Sequence, residues 1–270
     1  MAPNSFLDQN RLKSQRKQTR VFFLEYSLFI FPLFTFFSAF VKAITGFGFS
    51  VVLVGLTSLF MDPQFILPLS AMLDAVSGIS LIKISDIRKQ WRFWRFPFLA
   101  IILGSIFGSV SLPYIPAHHF QHLMISMLIL LGFWFFYIRT RLHHTHFLEQ
   151  LPEKSTWKMT LVSFISGLAG GILGMPGPPI AYYFGRKLAK YPLRQSMIVL
   201  LLVCSLTRIL TYTGVGLIQK TTFLYAVASF PFMYLGIKSG SRFFNKISEV
   251  TFSRLSGIFL FFVAFLHFLK

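Results

Sequence analysis

Between Ile165 and Phe184 the chain reads ISGLAGGILGMPGPPIAYYF. The stretch is apolar enough to lie in a membrane, yet it carries five glycines (Gly167, Gly170, Gly171, Gly174, Gly177) and three prolines (Pro176, Pro178, Pro179). Proline inside a helix removes a hydrogen bond and clashes with the preceding turn, so three within four positions are expected to stop one. In lipid, non-helical backbone is tolerated only where it is buried in protein or lines a watery cavity. The stretch therefore reads as a broken membrane helix, the device with which transporters bind their cargo.

The rest of the chain agrees with a membrane setting. Of 270 residues, 54% are hydrophobic and only 13% charged, mean hydropathy is +0.65, and 35 residues are phenylalanine. These values point to an all-α polytopic membrane protein. The net charge of +18 would suggest nucleic acid in a soluble chain. Here Lys and Arg sit mostly in short loops between apolar runs. They read as topology determinants facing anionic lipid, and nucleic acid is not an expected partner. The single cysteine, Cys204, excludes an internal disulfide. A basic start followed by an apolar run imitates a signal peptide, but the run is long and continues into a repeat, so an uncleaved first segment is expected.

Eight apolar blocks follow a basic polar tail (1–20). They are Val21–Phe60, Phe65–Ile82, Phe96–Leu112, Phe120–Ile138, Met159–Phe184, Met197–Leu217, Thr222–Ile237 and Phe252–Leu269. The first and fifth contain glycine breaks. Forty residues at about 1.5 Å each are twice a bilayer's thickness, so the first block cannot be one straight helix. Residues 139–158 form a polar connecting loop between a first repeat (21–138) and a second (159–270). Gly104-x-x-x-Gly108-Ser109 matches Gly236-x-x-x-Gly240-Ser241 at a shift of 132, as do Ile115, Phe120 and Leu123 with Ile247, Phe252 and Leu255. Ile44-Thr45-Gly46 matches Ile172-Leu173-Gly174 at a shift of 128. Common order and near-common shift indicate duplication.

Loop charges reverse between the repeats. Met61–Gln64 has no Lys or Arg, while its counterpart has Arg186, Lys187, Lys190 and Arg194. The next loop has Lys83, Arg88, Lys89, Arg92 and Arg95 against Lys220 alone. The third, Pro113–His119, has none against Lys238, Arg242 and Lys246. By the positive-inside rule the two repeats are expected to be inverted relative to each other. Met159–Phe184 must then enter and leave on one side, as two half-helices meeting near Gly174–Pro179. Val21–Phe60 needs an odd number of crossings, either one crossing or one crossing plus a hairpin.

The breaks carry the candidate chemistry. After Pro178-Pro179 a helix is expected to restart, its free N–H groups from Ile180 onward forming an anion site at a positive dipole end. Gly177 would allow close backbone approach. The other break, Gly46-Phe47-Gly48-Phe49-Ser50, offers N–H groups and the Ser50 hydroxyl. Two such ends near the midplane, with Gly46, Gly48, Ser50, Gly174, Gly177 and Pro178, would hold a small anion; alternatively the glycines serve helix packing. Ionisable residues in the blocks are functional candidates by default. Lys42, one turn before the first break, is placed to attract an anion. Asp74 and Arg208 lie on corresponding helices and either pair with each other or leave Arg208 facing substrate. Thr207, Thr211 and Tyr212 add hydroxyls near Arg208, and Glu25 reads as interfacial. Histidines cluster at His118, His119, His122 and at His143, His144, His146 without acidic or cysteine partners in ligand spacing, so interfacial loops are expected rather than a metal site. No nucleotide-binding, zinc-protease or nucleophile-elbow motif is present, and no cofactor is expected.

Gly167–Pro179 resembles the second glycine-rich signature of the sulfite exporter TauE/SafE family, the TSUP permeases. Gly46-Phe47-Gly48-Phe49 with Asp62-Pro63 resembles its first signature, and Arg194–Gly214, with Arg208, Tyr212 and Gly214, resembles the pattern that follows the second. The first signature lacks the richer glycine run of some members. The resemblance covers nearly the whole chain beyond residue 20. It implies a permease of a bacterial inner membrane carrying small anions such as sulfite or sulfonates. Three readings follow: a secondary transporter of small anions driven by a proton or sodium gradient, an intramembrane enzyme acting on lipid, and a scaffold subunit without its own path.

Overall fold

A computed structural model describes residues 30–58, 61–82, 91–115, 117–133, 156–186 and 188–244, with isolated positions 251, 258, 261 and 265. The basic tail, Glu25, the histidines at 143–146, most of the loop 139–158 and nearly all of the block Phe252–Leu269 lie outside the described residues, and so does the first stretch of the N-terminal crossing.

The described residues are helical almost throughout. The order is α1 (Ile30–Thr45), α2 (Phe49–Thr57), α3 (Pro63–Leu81), α4 (Trp91–Ser111) with a 3-10 turn (Leu112–Tyr114), α5 (Ala117–Phe133), α6 (Trp157–Leu173), α7 (Gly177–Gly185), α8 (Lys190–Gly214) and α9 (Lys220–Phe244). The pattern repeats. A helix of the first rank, a glycine break and a nine-residue helix lead into two long helices, once as α1 to α4 and again as α6 to α9.

The breaks follow from local chemistry. Gly46 and Gly48 adopt φ 80° and 92°, in the left-handed region that costs any L side chain energy. Gly46 N–H closes the last turn on Lys42 O at 2.7 Å. The Thr45 hydroxyl then holds the bend, accepting from Phe47 N–H at 3.1 Å and donating to the carbonyl of Phe47 or of Val41. At the second break Gly174 has φ 73°, its N–H returning to Gly170 O and that of Met175 to Ala169 O, a left-handed helix stop. The interruption is shorter than expected. It ends at Pro176, and Pro178 and Pro179 lie in the first turn of α7 instead of in the break. Proline loses no helical bond there, because first-turn amides have no partner within the helix.

The glycine pairs found by repeat matching pack crosswise between the halves. Gly104 and Gly108 of α4 lie against Phe164 O and Leu168 O of α6; Gly236 and Gly240 of α9 lie against Phe36 O and Phe40 O of α1. The first pair differs from the second by 132 and its partners differ by 128, the two shifts read from the sequence. A Cβ on Gly108 would sit 2.5 Å from Leu168 O, and one on Gly240 would sit 2.5 Å from Phe40 O. Such backbone approach is how membrane helices associate where lipid gives no hydrophobic drive. Reciprocal contact of this kind is the mark of a two-fold relation.

Polarity runs from inside out. Thr35, Ser38, Lys42, Ser70, Asp74 and Arg208 are buried, while Leu99, Phe107, Leu130, Leu210, Leu224 and Leu235 face outward. Many buried hydroxyls bond their own helix one turn back, as Thr35 does to Phe31 O and Ser38 to Phe34 O. Three helices are long and apolar enough to cross a membrane by length and composition: Pro63–Leu81, Phe93–Tyr114 and Tyr191–Gly214.

Candidate functional site

The two breaks meet. A Cβ on Gly177 would lie 2.8 Å from the Phe47 ring, so the start of α7 abuts the bend before α2. Gly46 packs on the backbone of Arg194 in α8, and Gly174 on Leu67 of α3, Val54 of α2 and the Arg208 guanidinium. These contacts repeat the crosswise pattern of the glycine pairs.

Helix α8 completes both interrupted helices. A helix end leaves carbonyls without partners, and in a buried end they must be satisfied. Arg194 Nε donates to Ala43 O in the last turn of α1 at 2.8 Å, and Tyr212 hydroxyl donates to Gly171 O near the end of α6 at 2.7 Å. Arg194 had read as a loop charge; it is largely buried, its guanidinium 4.5 Å from the Phe244 ring centroid. Its proximity to α1 had no signal in the sequence. Tyr212 had the signal of lying one turn from Arg208, without its direction. On the second break, the Ser166 hydroxyl donates to Pro176 O.

The two half-helix starts differ in chemistry. Four N–H groups at a helix start ordinarily lack intrahelical partners. For α2 these positions are Gly48, Phe49, Ser50 and Val51, all with N–H groups. For α7 they are Pro176, Gly177, Pro178 and Pro179, of which Gly177 alone has one. The expectation of an amide cradle from Ile180 onward is thereby revised. The prolines leave few donors to satisfy in a buried start, while the positive dipole end remains. The donor-rich start is that of α2, and there Ser50 is buried with its hydroxyl making no hydrogen bond.

Of the two arrangements the sequence left open for Asp74 and Arg208, the structure shows the unpaired one. Asp74 does not pair with Arg208. Lys42 Nζ reaches Asp74 Oδ1 at 2.6 Å and Asp74 O at 2.7 Å, both side chains being inaccessible. The reason is position. Lys42, one turn before the break, faces α3, with its Nζ close to Gly78 as well as to Asp74. Arg208 is fully buried (0% exposed) and donates from Nη2 to Leu67 O and Ser70 Oγ, each at 3.1 Å. Its Nε and Nη1 make no hydrogen bond among the described residues. The Tyr212 ring lies 5.7 Å from the guanidinium. Val54 and the Arg208 guanidinium both lie beside Gly174, and Ser50 shares the Val54 face of α2 one turn nearer the bend.

Of the sequence candidates, the structure brings Gly46, Gly48, Ser50, Gly174, Gly177, Pro178 and Arg208 to this crossing, and holds Lys42 beside it in its pair with Asp74. Broken helices crossing inside an all-α, outwardly apolar shell, with a buried guanidinium short of partners, define a polytopic membrane protein of the transporter class. The family profile described as sulfite exporter TauE/SafE matches residues 31–266 of the 270, and the chain belongs to that family. No curated protein and no solved structure matches it.

Proposed function

We propose that the chain is a permease of a bacterial inner membrane that moves small organosulfur or sulfur oxyanions, sulfite and sulfonates among them, by alternating access. The observation that carries this reading is Arg208. A guanidinium is always charged, and burying it with two nitrogens unbonded is costly unless something anionic completes it. Arg208 would take the anion's oxygens, and the Ser50 hydroxyl and the first-turn amides of α2 would take those on the other side. Gly46, Gly48 and Gly174 supply the bends that allow this approach, and Gly177 and Pro178 the close-packed, donor-poor wall opposite. Lys42 stands beside the site with its charge offset by Asp74, and would act on the anion through that pair. A proton or sodium gradient would drive the cycle, between inverted repeats spanning 21–138 and 159–270.

The test is flux of sulfite, sulfonates, sulfate and carboxylates into proteoliposomes, with and without a pH gradient. Arg208→Gln is expected to lower flux about 100-fold or more, since a lost charge-assisted bidentate contact is worth several tenfold steps. The variant should still insert. Wild-type rates in Arg208→Gln would refute the reading.

A further inference from the structure

The buried charges around the crossing do not balance. Among the described residues deep in the helices they are Lys42, Asp74 and Arg208. Lys42 and Asp74 are joined in one ion pair, and among the described residues Asp74 makes no ion pair with Arg208. Cys204 is a thiol bonded weakly to Ser105, and Lys42 Nζ lies 6.0 Å from the Phe49 ring centroid of α2. Arg194 does not enter this count. It lies 14 residues before Arg208 on α8, about 21 Å along the axis, with its Nε against the partly negative end of α1. The half-charges of the helix ends offset one another, the starts of α2 and α7 being positive and the ends of α1 and α6 negative. Among the described residues, and with Arg194 held at the end of α1, the crossing therefore carries one uncompensated positive charge, that of Arg208.

From this we infer that the site selects its substrate by net charge and takes monoanions, and that the Lys42–Asp74 pair sets the selection by cancelling the second cation. The inference rests on the anion-site reading of Arg208. A monoanion brings the buried charge to zero. A dianion of the same size would leave one negative charge in low dielectric, where an unpaired ion costs several kcal/mol after relaxation. Asp74 is in this view a specificity-determining residue that need not touch the substrate.

Methanesulfonate and sulfate test it, being similar in size and fixed in charge at one and two across ordinary pH. Uptake into proteoliposomes of the full chain is measured for both, with the wild type, Asp74→Asn, Lys42→Met, the double variant and Arg208→Gln. The buried charges are then plus one, plus two, zero, plus one and zero. The wild type is expected to prefer methanesulfonate by about 100-fold or more. Asp74→Asn should bring the ratio near or below one, and Lys42→Met should lose both fluxes. The double variant, which leaves Arg208 as the one uncompensated ion, should return the wild-type preference. If Asp74→Asn does not fold, the wild-type ratio and the double variant decide. Equal carriage of both anions by the wild type, or a double variant that prefers sulfate, overturns the inference. If Arg208→Gln is at the same time inactive, the anion site itself stands. If the wild type moves neither anion, or Arg208→Gln moves both normally, the anion-site reading falls and this inference with it.

Discussion

Three glycines separate backbone strain from packing at the first break. Gly46 and Gly216 have nearly the same left-handed φ, 80° and 75°. Their surroundings are opposite. A Cβ on Gly216 would meet nothing within 4 Å, whereas one on Gly46 would lie 2.5 Å from Arg194 O and 2.9 Å from Arg194 Cα. Gly216→Ala should therefore show the conformational cost alone, about 1–2 kcal/mol. Gly46→Ala should add the cost of forcing backbone from backbone, about 1–3 kcal/mol more, and should loosen the Arg194 bond to Ala43 O. Gly214 also has open space but closes α8 with helical geometry, so Gly214→Ala should be neutral or up to about 1 kcal/mol more stable. The assay is thermal unfolding of the purified protein in one detergent, with about 2–4 °C expected per kcal/mol at this chain length. Gly46→Ala should fall furthest, by roughly 4–20 °C, and Gly216→Ala by about half that or less. If Gly46→Ala is no less stable than Gly216→Ala, the packing of the break onto α8 is not what holds it.

Tyr212→Phe removes the partner of Gly171 O at the end of α6 and should cost about 1–3 kcal/mol, the penalty of an unsatisfied buried carbonyl. A thermal midpoint within error of wild type would contradict that assignment. Gly108→Val and Gly240→Val should harm stability to a similar degree, because each would drive a side chain into the carbonyl at the matching position of the opposite half. Unequal loss in the same unfolding assay would argue against the two-fold relation.

The parts of the fold that were legible are those that particular residues force. Gly46 and Gly174 announce their bends because few other residues take positive φ, and the paired glycines of α4 and α9 announce close helix contact because nothing larger fits. Their partners were not legible, since which helix a glycine face meets depends on the tertiary path. The same limit hid the Lys42–Asp74 pair. Both residues were marked as buried charges, yet the one partner considered for Asp74 was Arg208, because spacing along the chain does not say which way a helix face turns. Arg194 was hidden differently: it follows a run of basic loop residues and borrows their appearance. The prolines were legible as the end of an interruption, but the restart was placed after them, whereas α7 begins at Gly177. A proline that cannot lie within a helix can begin one, and only the φ of Gly174 and the capping bonds fix where the break stops.

The crosswise glycine contacts also impose an order in time. Helix α4 waits only about 60 residues of synthesis before α6 supplies its partner, but the face of α1 around Phe36–Ala43 waits roughly 200 residues for Gly236 and Gly240 of α9. At about 5–20 residues per second, that is on the order of 10–40 s. Throughout that interval the closest-packing surface of the first helix is still uncovered by α9, although Lys42 already has Asp74 of α3. Helix α9 is thus the one that seals this face, and a chain arrested before Gly236 is expected to leave α1 as the segment most open to proteolysis.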